Sequence, residues 1–543
     1  ERHHQRPQDG HHSVTLDVRR RWPVGLTLGL LTAVTAAPSL YNRFVYDDVP
    51  AIVENTLVHS LSAAPAIWTS GYWPIGLLYR PLTIQLFNLE WVLGGERSRV
   101  FHGVSILLAI LTTLLVWRLA SRLLPPLGAG IAAALFAVHP VHVEAIANIV
   151  GQSELLAAIF AVLAVERYLV WRAQGAIGLG RRLILAGFTL LAIFSKETGY
   201  AVPLLIGIAE LCRFRPPRRA VLPVFFLQFA AVAVALLIRL GVLGSVAGEV
   251  PSASVAGLGI GARAVGMLAI VPEWARLLFW PVHLQGEYGP PALSLIQSAL
   301  GYRLLGAAIL IGGLALLAWS LRRNTAVAAG LLWMVVAILP VANLLAPTGI
   351  ILAERTLFLP SVGAVLVVAG LLDSLLVRAP LRTRRLVAAV GILLLTAAAV
   401  RSATRATVWR TQSIFFARLV EDAPRTYRAH YVASLFYYGE KRYPEAEREA
   451  RAALALYQRD AHVHEQLGQV LRTIGRCGEA IPVLAEGVRL SPQETTARSR
   501  LIECLLATGD TAAARTAAAA AVRAGLNEFA ATVRRLGPAP QPR

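Results

Sequence analysis

The chain has 543 residues, of which 56% are hydrophobic and only 15% are charged, well below the roughly 25% charged residues of soluble globular domains. Together with a mean hydropathy of +0.57, this balance excludes an ordinary soluble globule and reads as a polytopic membrane protein. The net charge of +20 does not indicate nucleic-acid binding, because the basic residues cluster at the ends of apolar runs, as topology signals do.

All but two of the 52 basic residues are arginine, the exceptions being Lys196 and Lys441. With abundant Ala, Leu and Gly, this usage points to a GC-rich bacterial genome. Cys212, Cys477 and Cys504 show neither paired nor C-x-x-C spacing, so no disulfide framework and no zinc site is expected. Residues 1–22, with His3-His4, His11-His12 and Arg19 to Arg21, read as a disordered cytoplasmic tail ahead of an uncleaved apolar helix.

A spanning helix needs about 20 apolar residues. Such runs occur near 23–40, 101–120, 127–147, 149–171, 183–195, 200–212, 220–243, 301–320, 325–346, 357–378 and 386–403. They predict about eleven transmembrane helices, with 183–195 and 200–212 the shortest. Arginines recur at alternate ends: Arg19 to Arg21, Arg118 and Arg122, Arg172 with Arg181 and Arg182, Arg213 to Arg219, Arg322 and Arg323, and Arg378 to Arg385. With eleven helices they fall on one side, which the positive-inside rule makes cytoplasmic.

The opposite side then gathers the unusual polar residues. Asp47 and Asp48 follow the first apolar run. Arg80 stands in Tyr79-Arg80-Pro81-Leu82, His139, His142 and Glu144 in Phe136–Ala145, and Lys196 and Glu197 in Ser195–Gly199. Glu354 and Arg355 open the tenth run, and His102 and Glu154 lie on the same side. Ionisable groups at membrane depth are costly and point to function. The segments 82–93 and 263–280, with Trp91, Trp274 and Trp280, read as interfacial helices anchored by aromatics.

Each motif carries two readings. Asp47 and Asp48 can take a proton from an attacking hydroxyl beside a lipid-phosphate leaving group, or form a solvated loop. Arg80, Lys196 and Arg355 can hold a phosphate, guanidinium being planar and forked, or act as snorkelling interfacial charges. His139, His142 and Glu144 can contact sugar or phosphate, ligate a metal, or cap a helix. Glu197 and Glu354 can bind substrate or pair with their neighbours. No Walker loop, GxGxxG fingerprint or Ser-His-Asp order is present, so no nucleotide cofactor is expected. A divalent cation at the carboxylates is left open.

After Val408 and Trp409 the composition turns to Ala, Arg and Glu. Segments 427–460, 461–494 and 495–528 align at a period of 34 residues. Ala446, Ala480 and Ala514 share position 20, and Gly475 and Gly509 share position 15, the tetratricopeptide pattern. The chain therefore divides into a tail (1–22), a membrane domain (23–408), a repeat domain (409–528) and a final tail (529–543).

The ordered set Tyr46-Asp47-Asp48, Tyr79-Arg80-Pro81-Leu82, Val138–Ala145, Ser195-Lys196-Glu197 and Glu354–Ser361, followed by the repeats, resembles the transmembrane-and-tetratricopeptide O-mannosyltransferases. The resemblance covers about residues 23–528. It implies an all-α, polytopic GT-C fold with a tetratricopeptide superhelix. It also implies inverting transfer of mannose or a similar sugar from a polyprenyl-phosphate donor to Ser/Thr hydroxyls of exported proteins. It puts the catalytic carboxylate at Asp47 or Asp48 and is consistent with donor-phosphate contacts from Arg355, Lys196 and Arg80. The expected setting is a bacterial inner membrane, with active site and repeats outside the cytoplasm and a protein or peptide acceptor held by the repeats. Two other readings stand: a non-catalytic scaffold that binds envelope proteins, and a GT-C transferase acting on a lipid or glycan.

Overall fold

The computed structural model describes residues 18–73, 77–214, 221–246, 255, 257–288 and 300–537. The paired histidines of the N-terminal tail, Arg215, Arg218, Arg219, part of the loop after Glu249 and the last six residues lie outside the described residues. Among the described residues there is no strand, and helices follow one another through the chain. A bilayer interior offers no hydrogen-bond partner to the backbone, so apolar runs of this length satisfy their own amides as helices.

Within the described residues each of the eleven apolar runs forms helix, although 325–346 leaves it after Val341. Among the described residues, seven helices are long and apolar enough to cross a membrane: Trp22–Tyr41, Ser98–Leu123, Ile149–Ala173, Leu222–Leu243, Leu300–Arg323, Glu354–Arg378 and Leu381–Trp409. An eighth candidate is the pair Pro126–Val138 and Pro140–Ala147, bent by 48°. The bend falls at Pro140, which drives His139 to extended geometry (φ −64°, ψ 121°) and interrupts the helical ladder. The three remaining runs give shorter helices: Leu179–Ser195 with 17 residues, Val202–Arg213 with 12 and Thr325–Ile338 with 14. At about 1.5 Å per residue they fall short of the roughly 30 Å hydrocarbon core.

Burial ranks the helices from centre to rim. In the most apolar window of Ile149–Ala173, 89% of the residues are buried, against 6% in Leu381–Trp409. The first is the hub of the bundle and the second is its least enclosed helix. Thr325–Ile338 and Phe358–Arg378 cross closely at two glycines. A methyl on Gly363 would stand 2.4 Å from the Gly330 carbonyl oxygen. Small residues permit such backbone approach where dispersion, not water, drives helix association. Trp333 Nε1 donates to the Leu359 carbonyl (2.9 Å) across the same seam.

Two carboxylates hold the arginine-rich ends. Arg122 lies 3.0 Å and Arg167 2.5 Å from buried Glu166, and Arg172 lies 3.1 Å from Glu210. Tyr168 also donates to Glu210 (2.8 Å). Some arginines read as topology signals are therefore partners of buried carboxylates as well.

The C-terminal part is a stack of helix hairpins whose first helices, Tyr427–Gly439, Ala461–Thr473 and Thr495–Ala507, begin at intervals of 34 residues. The small residues at position 20, Ala446, Ala480 and Ala514, are fully buried. Gly475 and Gly509 turn with φ of +79° and +84°, and Lys441 takes that position in the first hairpin at +59°. The expectation of no disulfide is overturned. Cys477 and Cys504 are bonded, with Cα atoms 5.0 Å apart. They are 27 residues apart in sequence, and only the stacking of one hairpin on the next brings them together. The repeat base docks on the membrane half: Trp409, Phe415, Phe416 and Leu419 form one apolar cluster with Val45, Val143 and Ala147.

Candidate active site

The turn after the first helix sends two adjacent carboxylates in opposite directions. Tyr46 sits in the left-handed region (φ +58°), a strained state for a bulky residue. Its ring stacks on Phe415 (5.3 Å) and meets Phe416 edge-on (6.0 Å), so the repeat base holds the strained turn. Burial and the neighbouring Asp47 charge raise the Tyr46 phenol pKa. Asp48 then turns inward and is fully buried. Its two carboxyl oxygens accept from the backbone N–H of Val150 (2.9 Å) and of Val45 (3.2 Å). Burial pushes the Asp48 carboxyl up to about 8, with those backbone donors pulling the other way. Asp47 faces a cavity instead, and Arg355 Nη1 donates to its Oδ2 at 2.9 Å.

Arg355 is oriented from behind by Glu144. The Arg355 backbone N–H donates to Glu144 Oε2 (2.9 Å), and its Nε stands 3.5 Å from Oε1. A short helix, Glu354–Leu357, sets this position at the mouth of the Phe358–Arg378 helix.

Lys196 and Glu197 are adjacent but pair elsewhere. Lys196 Nζ donates to Glu154 Oε1 (2.5 Å), and burial lowers the ammonium pKa although Glu154 opposes the fall. Glu197 accepts from Arg80 Nε and Nη2 at 3.0 and 2.7 Å and lies 3.6 Å from Arg239. Burial raises the Glu197 carboxyl, but Arg80 and its other cationic neighbours outweigh that and leave it below its usual range. The Arg80 guanidinium lies over the Tyr72 ring at 5.0 Å. Gly199 closes this turn: a methyl there would stand 2.3 Å from the Ala192 carbonyl carbon.

These groups share one cavity of about 520 Å³. Its charged lining is four cations, Arg80, Lys196, Arg239 and Arg355, against two carboxylates, Asp47 and Glu197. The rest of the lining is largely apolar and includes Leu204, Leu236, Val336 and Leu345. Leu204, Val246 and Leu345 are also exposed on the outer surface. A ligand with an anionic head and an apolar tail fits this division, with the tail leaving towards lipid.

The other expected residues stand outside the cavity lining. His139 Nε2 donates to the Leu278 carbonyl (3.0 Å). Ser361 gives its proton to the Phe358 carbonyl (2.7 Å), so His142 Nε2 is the donor to Ser361 Oγ (2.8 Å). Both histidines thus brace the bend at Pro140. Glu354 accepts from Tyr288 Oη and from the Gln285 N–H, both at 2.6 Å, and anchors the 281–288 loop. His102 is fully buried and also outside the lining. Among the described residues, the His/Asp/Glu group close enough to hold a metal is His462, Glu465 and Glu494 in the repeats. Sequence reasoning passed over Arg239, Glu154's pairing role and Ser153. Arg239 did carry a signal, an ionisable residue inside the apolar run 220–243.

The architecture is thus a multi-pass membrane protein with a cavity that joins charged to apolar lining and a stack of helical hairpins docked on the membrane half. No protein-family model matches the chain. It is similar to Protein O-mannosyl-transferase TMTC1 of Homo sapiens, 29% identical over 490 residues, covering 80% of this chain and 55% of that protein. It is also similar to Protein O-mannosyl-transferase TMTC3 of Mus musculus, 26% identical over 385 residues, 63% of this chain and 41% of that protein. The chain spans about half the length of the curated relatives it matches. Among solved structures, the Archaeoglobus fulgidus oligosaccharyltransferase in complex with Zn and sulfate aligns with a TM-score of 0.43 at 16% identity, over 71% of this chain and 53% of that one. The resemblance read from the motifs extends over most of the sequence: the chain is similar to protein O-mannosyltransferases over 80% of its length in the first of these relatives and 63% in the second.

Proposed function

We propose that the chain is an inverting GT-C glycosyltransferase that moves mannose or a similar sugar from a polyprenyl-phosphate donor to Ser/Thr hydroxyls of exported proteins. The observation that carries this reading is the Asp47–Arg355 pair, 2.9 Å apart, in a cavity whose lining joins charged groups to a larger apolar part. The donor phosphate lies among Arg355, Lys196, Arg80 and Arg239, where the lining carries two more positive than negative charges. The prenyl tail leaves past Leu204 and Leu345.

In this reading Asp47 takes the proton of the acceptor hydroxyl as its oxygen attacks the anomeric carbon. The bond from that carbon to the phosphate oxygen breaks, and its electron pair leaves with the polyprenyl phosphate. Negative charge grows on the phosphate as the bond breaks, and fixed guanidinium groups stabilise it there more than in the ground state. Asp48 is a positioning residue: its bonds to Val45 and Val150 fix the turn that aims Asp47.

The site faces the extracytoplasmic side of a bacterial inner membrane, with the hairpins, as tetratricopeptide repeats, presenting the acceptor. The Cys477–Cys504 bond supports that side, because disulfides persist in oxidising compartments. The test is transfer of labelled mannose from polyprenyl-phosphate mannose to a Ser/Thr-rich peptide by the full chain in proteoliposomes. Donor-dependent labelling supports the reading. A well-folded preparation that turns over neither this donor nor other polyprenyl-phosphate sugars refutes it.

A further inference from the structure

A second polar cavity lies away from the Asp47 centre. It has a volume of about 370 Å³ and is lined by Arg401, Arg405, Arg410 and Arg418 against one carboxylate, Asp422. Arg405 is buried and paired with Asp422, and exposed Arg418 pairs with Glu421 (2.6 Å) just outside the lining. Arg401 uses its Nε on the Val282 carbonyl (3.1 Å), and Arg410 lies over the Tyr41 ring at 5.8 Å. Among the described residues neither Arg401 nor Arg410 has a carboxylate partner. Arg410 and Arg418 are exposed, but like charge gathered around half-buried Arg401 and buried Arg405 favours an anion among them.

The place of this cavity in the fold narrows the anion. It sits at the C-terminal end of the Leu381–Trp409 span, which packs least against the protein. Leu393, Leu394 and Val400 on that helix are exposed apolar side chains facing lipid. The arginines therefore stand where that lipid layer meets its polar surface. Ser402 Oγ donates to the Val138 carbonyl (2.8 Å), which ties this end to the Pro140 bend and hence to the same membrane face as Glu144 and Arg355. If that face is extracytoplasmic, as proposed above, four arginines there run against the positive-inside bias, and topology does not explain them.

We infer that the Arg401–Arg418 cavity is a binding site for a phosphate-bearing ligand, the headgroup of an anionic phospholipid whose acyl chains lie along the exposed face of the Leu381–Ala406 helix. Basic pockets at membrane depth recognise such headgroups through charge-assisted hydrogen bonds. The site does not use the Asp47 cavity, so it stands whether or not the transfer reaction is as proposed.

The test is native mass spectrometry of the detergent-solubilised full chain after incubation with equal phosphatidylglycerol and phosphatidylcholine of matched chains. The wild type retains phosphatidylglycerol in preference. The double variant Arg401→Gln with Arg418→Gln loses about tenfold or more of that preference, the worth of its charge-assisted contacts. Asp422→Asn, which removes the lone carboxylate of the lining, moves the preference the other way, so a folding defect cannot mimic both results. Displacement of the lipid by millimolar inorganic phosphate, with the same dependence on Arg401 and Arg418, keeps the phosphate chemistry and assigns its source to solution. Equal retention of both lipids by wild type and variants, with no phosphate effect on thermal unfolding, overturns the inference.

Discussion

Replacing Asp47 with Asn removes the proton acceptor while keeping the side chain's size and one oxygen for Arg355. That oxygen still reaches Arg355 Nη1, now 2.9 Å from Asp47 Oδ2, so the turn and the cavity survive. General-base catalysis contributes about 10²–10⁴-fold, and turnover of Asp47→Asn falls by that factor with donor binding little changed. Asp48→Asn behaves differently. The native carboxyl accepts two backbone N–H groups, from Val150 and Val45, whereas an amide offers one acceptor and turns an N–H towards the other donor. The lost bond costs about 1–3 kcal/mol of stability, while the folded fraction keeps most of its turnover. The assay is sugar transfer in proteoliposomes, with the rate divided by the fraction folded from thermal unfolding. A folded Asp48→Asn enzyme that loses more turnover than Asp47→Asn would refute the division of roles.

Three further outcomes follow from the same geometry. Arg355→Lys keeps one charge but cannot span Asp47 and Glu144, so kcat falls by about 10²–10³-fold, which steady-state kinetics on the donor resolves. Gly363→Ala places a methyl 2.4 Å from the Gly330 carbonyl oxygen and forces two helices apart; it destabilises by about 1–3 kcal/mol, read as a lower thermal unfolding midpoint. Asp48 titrates near 8 in the folded chain against an ordinary 3.8, so the native state holds the extra proton between those values. Its cost to stability is absent below pH 3.8, grows as pH rises towards 8 and is constant above. Buried Glu287, also raised chiefly by burial, adds a slope of the same sign. Thermal unfolding from pH 5 to 8 shows a falling midpoint, and Asp48→Asn flattens the fall; an unchanged slope in that variant contradicts the assignment.

The helices were legible because lipid leaves a run such as 220–243 no alternative, and the repeats because Ala446, Ala480 and Ala514 recur at one period. Charge partners were not. Asp47 and Asp48 are neighbours in sequence, yet one positive φ at Tyr46 points them to different environments. Lys196 and Glu197 suggest a pair, yet an extended backbone at Lys196 (φ −161°, ψ 154°) sends them to Glu154 and Arg80. His139 and His142 lie three residues apart, as metal ligands do, and their rings stand 5.2 Å apart, but their Nε2 atoms are committed to the Leu278 carbonyl and to Ser361 Oγ. The structure uses Phe415 and Phe416 to hold Tyr46, a contact across 369 residues that no local pattern encodes.

The decisive measurement is a cryo-electron microscopy structure of the chain in nanodiscs with a polyprenyl-phosphate sugar bound. Phosphate density within hydrogen-bond distance of Arg355, the sugar against Asp47 and the tail leaving past Leu204 and Leu345 is the predicted result. Lipid-phosphate density elsewhere, with Arg355 still closed on Asp47 and the cavity empty, would contradict it.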